Sequence, residues 1–144
     1  MSKNWKYPSA VNSISLNTNE EKTVRVCAKE YYSSVALSIK AGQQYRFEVD
    51  DKDIWVDFFL SCNAKGFRNI FLRKRDRRVR KVRCFHLCGT IGMNDDHNFP
   101  IGLETEYHVL HSGNLHFFAN DKKDSWFANF NNFGCIHVNI ARLE

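Results

Sequence analysis

The chain reads as an all-β protein, an antiparallel sandwich or barrel of about eight strands, and three observations predict it. Short runs rich in β-branched and aromatic residues recur between turn formers. No 11-residue stripe of apolar residues at helical spacing separates them. Two segments, "KAGQQYRFEV" and "HSGNLHFFAN", each place a glycine turn before a strand that alternates polar and apolar residues, the pattern of a sheet with one face on the core and one in water.

The elements follow in order. Residues 1–22 are rich in Asn and Ser and form an N-terminal lead-in, anchored by Trp5 and Tyr7, and residues 23–144 form a single sandwich domain. The strand candidates of the first half are "TVRVCA" from Thr23, "SVALSI" from Ser34, "QYRFEV" from Gln44 and "IWVDFFL" from Ile54. Those of the second half are "RVRKVRCFHLCGTIG" from Arg78, "TEYHVLH" from Thr105, "NLHFFAN" from Asn114 and "CIHVNI" from Cys135. Both glycine turns are expected to be hairpin returns.

A length of 144 residues is that of one ordinary domain, able to bury about two thirds of its unfolded surface. Hydrophobic residues make up 43% and aromatics 14%, too apolar for a disordered chain. No run approaches the roughly 18 apolar residues of a membrane-spanning helix. The N-terminus lacks the apolar core of a secretory signal, so a cytoplasmic location is expected, with release from the cell left open. Five cysteines, Cys27, Cys62, Cys84, Cys88 and Cys135, form an odd set without tight spacing, which suits reduced thiols better than a disulfide scaffold.

The formal charge of +5 is local, because "RKRDRRVRKVR" over residues 73–83 carries +7 and leaves −2 for the rest. A buried strand cannot accept that run, so a protruding loop or a sheet edge is expected. It either binds an acidic partner such as nucleic acid, anionic lipid or protein, or blunts an edge against aggregation. The binding residues would be Arg73, Lys74, Arg75, Arg77, Arg78, Arg80, Lys81 and Arg83.

Cys84, His86 and Cys88 would share a strand face, but structural zinc sites draw ligand pairs from turns, so buried thiols are expected instead. His108 and His116 flank the Ser112-Gly113 turn and are expected to face each other across a hairpin, with His137 as a neighbour. None of the six histidines sits in a nucleophile elbow, a metalloprotease helix motif or a phosphate loop, so no reaction is assigned.

The segment "FFANDKKDSWFANFNNFG", residues 117–134, concentrates Asp121, Asp124, Asn129, Asn131 and Asn132. Ca²⁺ takes about six to eight oxygens from such carboxylates, amides and carbonyls. The same residues also suit a polar loop that caps its own backbone. Trp126, Phe127 and Trp55 either stack on the apolar face of a sugar or close the open end of the sandwich.

Taken together, "FHLCGTIG", "FPIG", "SGNLHFFAND" and "NNFGCIHVNI" resemble the C-terminal half of the LecA-like family, the bacterial galactose-binding lectins. The likeness extends to the Ala41-Gly42 turn and to Trp55-x-Asp57 in the first half. It implies a jelly-roll-like β-sandwich that binds a galactose-like glycan through a bridging Ca²⁺, without enzymatic activity. Carried over residue by residue, the metal ligands are Asp121, Asn131 and Asn132, with the carbonyl of Phe58 or Asp57 from the tryptophan loop. The family's Asn-Asn follows its Asp by about seven positions; Asp121 to Asn131 is ten here, so Asp124 offers a rival registration. The sugar would meet Asp121, Asn131, Asn132, Trp126 and Trp55. Self-association is a further expectation, since weak sugar sites gain avidity that way.

Overall fold

The computed structural model describes residues 13–68, 77–121 and 132–144. Within them the strands are β1 (Glu21–Cys27), β2 (Ser33–Ile39), β3 (Gln44–Glu48), β4 (Trp55–Asp57), β5 (Leu60–Cys62), β6 (Leu87–Ile91), β7 (Phe99–Pro100), β8 (Glu104–His108), β9 (Gly113–Ala119), β10 (Asn132–Phe133) and β11 (Cys135–Arg142). Two four-stranded antiparallel sheets, β1-β11-β3-β8 and β2-β9-β6-β7, form a sandwich, and a three-stranded sheet β10-β4-β5 lies beside them. The fold is all-β, as the alternation predicts. No described helix is long and apolar enough to cross a membrane.

Period-2 alternation explains which faces meet. Val35, Leu37 and Ile39 of β2, Tyr45 and Phe47 of β3, and Ile136, Val138 and Ile140 of β11 are all buried in one core. At its centre the Phe47 ring meets Phe117 edge-on at 5.8 Å and Phe99 at 5.9 Å, joining the two sheets. Aromatic pairs in such geometry add to the stabilisation from their buried area.

Both glycine turns differ from expectation. β2 and β3 belong to different sheets, as do β8 and β9. The turns at Gly42 (φ 92°) and Gly113 (φ 155°) therefore carry the chain from one layer to the other. His108 and His116 consequently do not face each other: His108 is paired with Gln44, whereas His116 lies beside Thr90. His137 takes Asp53 as its partner, with backbone N at 2.7 Å and Nδ1 at 3.2 Å from Oδ2.

The expected strand from Ile54 is a hairpin, β4 and β5 joined by Phe58 and Phe59. Phe58 has φ 57°, a turn conformation usually given to Gly or Asn. The part of the lead-in that is described packs onto the domain. β2 bulges between Ser34 and Ser38, with Ala36 at φ 53°, and Ile14 takes hydrogen bonds with Ala36 and Ser38 there. Leu16 is buried, and its carbonyl accepts from Arg142 Nη1 at 2.7 Å.

The basic segment is also placed differently. Residues 77–86 are mostly irregular, and they fold back against the outer face of the β2-β9-β6-β7 sheet instead of protruding. Arg78, 8% exposed, lies over the rings of Phe118 (3.6 Å), Tyr31 (3.7 Å) and Tyr32 (4.6 Å). Its Nη1 donates to the Tyr31 carbonyl at 2.7 Å and its Nη2 to Asp95 at 3.3 Å. Tyr32 donates to the same Asp95 carboxylate at 2.6 Å. A guanidinium tolerates burial there because stacking and ion pairing offset its desolvation.

Cys27 and Cys135 are joined in a disulfide across β1 and β11, which corrects the expectation that all the thiols are reduced. The two residues are 108 positions apart in sequence, so local spacing carried no trace of their pairing. Cys84 and Cys88 are buried free thiols, and burial pushes both thiol pKa values up, most strongly for Cys88.

Candidate functional site

Asp121 follows β9, Asn132 opens β10 and Asp57 ends β4. The antiparallel register sets Asn132 directly opposite Asp57. Directly opposed residues project on one face with Cβ atoms about 4.5–5.5 Å apart. Asp121 closes the group, its Oδ2 accepting from Asn132 Nδ2 at 3.0 Å. The same Nδ2 donates to the Ala28 carbonyl at 3.3 Å, so two acceptors fix which way round the Asn132 amide lies.

Asn132 is 1% exposed and Asp121 8%, yet Asn132 Oδ1 has no hydrogen-bond partner. A buried amide oxygen in that state costs about 1–3 kcal/mol unless something meets it. The electrostatics point the same way. Burial first, and the neighbouring Asp121 charge second, push the Asp57 carboxyl up to about 6. Two carboxylates and an amide oxygen without a hydrogen-bond partner are a set of hard oxygen donors, and such a set suits a Ca²⁺ ion. Among the described residues no three His, Cys, Asp or Glu side chains gather as a metal-binding group, so the described part of the site is limited to these two carboxylates and one amide.

Asn120 positions the group. It is fully buried, and its Nδ2 donates to the carbonyls of Val79 (2.9 Å), Arg83 (3.0 Å) and Val82 (3.3 Å), while its Oδ1 accepts from Val79 N at 2.9 Å. Its backbone N donates to His86 O at 3.0 Å, and Arg78 N donates to Asp121 O at 3.1 Å. The Asn of the Asn-Asp pair is thus a clamp on residues 77–86 that holds the backbone leading into Asp121.

Of the residues expected in the site, Asp121 and Asn132 are brought together. Asn131, Asp124 and Trp126 lie outside the described residues, as do Arg73, Lys74 and Arg75. Trp55 is a correction: it is fully buried, packs edge-on against Phe85 at 5.7 Å and closes the core, so its rings are not offered to a sugar. Phe58 stands at the β4–β5 turn with its side chain largely exposed. Asp57, expected to supply at most a carbonyl, contributes a carboxyl group. Arg77 and Arg78 are buried with internal partners, Arg77 Nη1 donating to Val82 O at 2.9 Å, so neither presents its guanidinium to an acidic partner. Arg80, Lys81 and Arg83 remain toward solvent.

Sequence reasoning missed Asn120 as a clamp and Asp57 as a carboxylate. A signal for Asp57 is present, since an Asp in the middle of the otherwise apolar run "IWVDFFL" has no packing role there.

No protein-family model matches the chain, and no curated protein matches it. Among solved structures it is similar to the N-terminal domain of EclA, described as a PllA-like lectin, at 19% identity. The match has a TM-score of 0.57 and covers 83% of this chain and 94% of that one. At that identity the likeness is one of fold: the chain shares the β-sandwich of that domain over most of its length.

Proposed function

We propose that the chain is a non-enzymatic, calcium-dependent glycan-binding domain of the LecA-like kind, taking galactose-like sugars. The observation that carries this reading is the buried Asn132 Oδ1, left without a partner beside Asp121 and opposite Asp57. Asp121, Asn132 and Asp57 would hold the ion, with Asn131 or Asp124 added by the family resemblance. A bound Ca²⁺ would supply open coordination positions for two adjacent sugar hydroxyls. The chain's own part is to keep the donors buried and oriented. Asn120 holds the backbone before Asp121, and the Ala28 carbonyl holds the Asn132 amide. The fold shared with a lectin domain supports a sugar ligand, and the motifs of residues 83–140 support the galactose-like class.

The proton on Asp57 makes the reading testable by pH. Its folded-state pKa is raised, so its contribution to stability in the metal-free chain is present at acid pH and lost as pH rises through about 6. Calcium must displace that proton below about 6. Affinity is therefore expected to be flat above neutrality and to fall by up to about tenfold per pH unit below 6. Calorimetry in buffers of different ionisation heats at pH 5.5 should show proton release, and Asp57→Asn should remove it. A pH-independent affinity in the unaltered chain would speak against Asp57 as a ligand.

A further inference from the structure

The disulfide lies next to the candidate site in the chain. Cys27 and Cys135 form the last register pair of β1 and β11, and both are only partly buried. One residue beyond the bridge, Ala28 N donates to Gly134 O at 3.0 Å. The Ala28 carbonyl then accepts from the Asn132 amide, the same amide that donates to Asp121. Bridge, Ala28 and Asn132 thus form one covalent and hydrogen-bonded chain ending at a candidate metal ligand. Gly134, between Asn132 and Cys135, sits at φ 83° and so close to β4 that a Cβ there would lie 3.2 Å from Trp55 Cα. The segment from Cys135 back to Asn132 is accordingly held on one side by the bridge and on the other by β4.

We propose that the Cys27–Cys135 bridge is a redox latch on the Asn132 amide, so that reducing it weakens cation binding at the site while the sandwich stays folded. This inference rests on the calcium reading above. Thiolate of a dithiol reductant attacks one bridge sulfur and forms a mixed disulfide; its second thiol then closes on the first. Two electrons and two protons pass to Cys27 and Cys135, and the reductant leaves as a cyclic disulfide. The remaining six register pairs from Glu21↔Ala141 to Val26↔Ile136, with Val24, Val26, Ile136, Val138 and Ile140 buried, keep β1 on β11. Only the end of the ladder is released, and with it the Ala28 carbonyl that orients Asn132. The partial exposure of both cysteines gives a reductant access.

The test is a Ca²⁺ titration of the full chain in three forms: oxidised, reduced with dithiothreitol, and Cys27→Val/Cys135→Val, which keeps an apolar pair in place of the bridge. Far-ultraviolet circular dichroism checks the fold, and the Asn132 side-chain NH₂ resonances are followed by NMR beside the Leu115 amide of the other sheet. We expect the reduced and double-variant forms to bind about tenfold more weakly, the Asn132 resonances to move, the Leu115 amide to stay, and reoxidation to restore the affinity. Equal affinity in all three forms, or unfolding of both altered forms, overturns the latch and leaves the calcium reading standing. No Ca²⁺ binding by the oxidised chain overturns the calcium reading itself, and the latch with it.

Discussion

Asn120→Ala is expected to lower stability by about 3 kcal/mol or more, although it deletes no apolar contact. The substitution removes four hydrogen bonds at once and strands the N–H and C=O of Val79, while the Val82 carbonyl keeps Arg77 Nη1 and the Arg83 carbonyl keeps His86 N. Each unsatisfied group costs about 1–3 kcal/mol, reduced where water enters the opened loop. Residues 77–86 would detach from the outer face, exposing the Phe118 ring that Arg78 now covers. Chemical denaturation measures the loss, and limited proteolysis after Arg77 to Arg83 locates it. A midpoint within experimental error of the unaltered chain would show that Asn120 does not clamp this segment.

Trp55→Ala is expected to cost about 3–5 kcal/mol, lowering the thermal midpoint by roughly 10–20 °C. The indole is fully buried against Phe85 at the end of the sandwich, and Gly134 passes close to its backbone. Removing it opens a cavity among strands that cannot collapse onto it without moving β4, and β4 carries Asp57. Phe58→Ala, by contrast, removes a ring that is 63% exposed and should change stability by less than about 0.5 kcal/mol. Differential scanning calorimetry of the two variants decides the point; equal midpoints would remove Trp55 from the core.

The all-β class was legible because alternation depends only on which face of a strand is buried. Val24 and Val26, Leu37 and Ile39, and Ile136 through Ile140 all read correctly by that rule. Partners were not legible, since alternation is the same whether the next strand lies in the same sheet or the opposite one. The turns at Gly42 and Gly113 therefore look like hairpins in the sequence, although they change sheets. The run from Ile54 misled for another reason: Phe58 and Phe59 have strong strand propensity, yet they occupy a two-residue turn.

The site was half legible. Asp121 and Asn132 stand out as oxygen donors in a motif, whereas Asp57 joins them only through the β4–β10 register, across 75 residues of chain. The basic run shows the limit of reading charge as exposure. Arg80, Lys81 and Arg83 face solvent as charge demands, but Arg78 is covered by three aromatic rings contributed from sequence-distant β9 and the β1–β2 connection. No pattern local to residues 73–83 encodes those rings.

If Asp121 and Asn132 hold Ca²⁺ for a glycan, isothermal titration of metal-free protein with Ca²⁺, followed by galactose, reads both events on one sample. One ion per chain is expected, with loss of binding in Asp121→Ala and in Asn132→Ala at unchanged circular dichroism, and sugar binding only when the ion is present. An unaltered chain that takes up no calcium, or an Asp121→Ala variant that binds calcium and galactose undiminished, would contradict it.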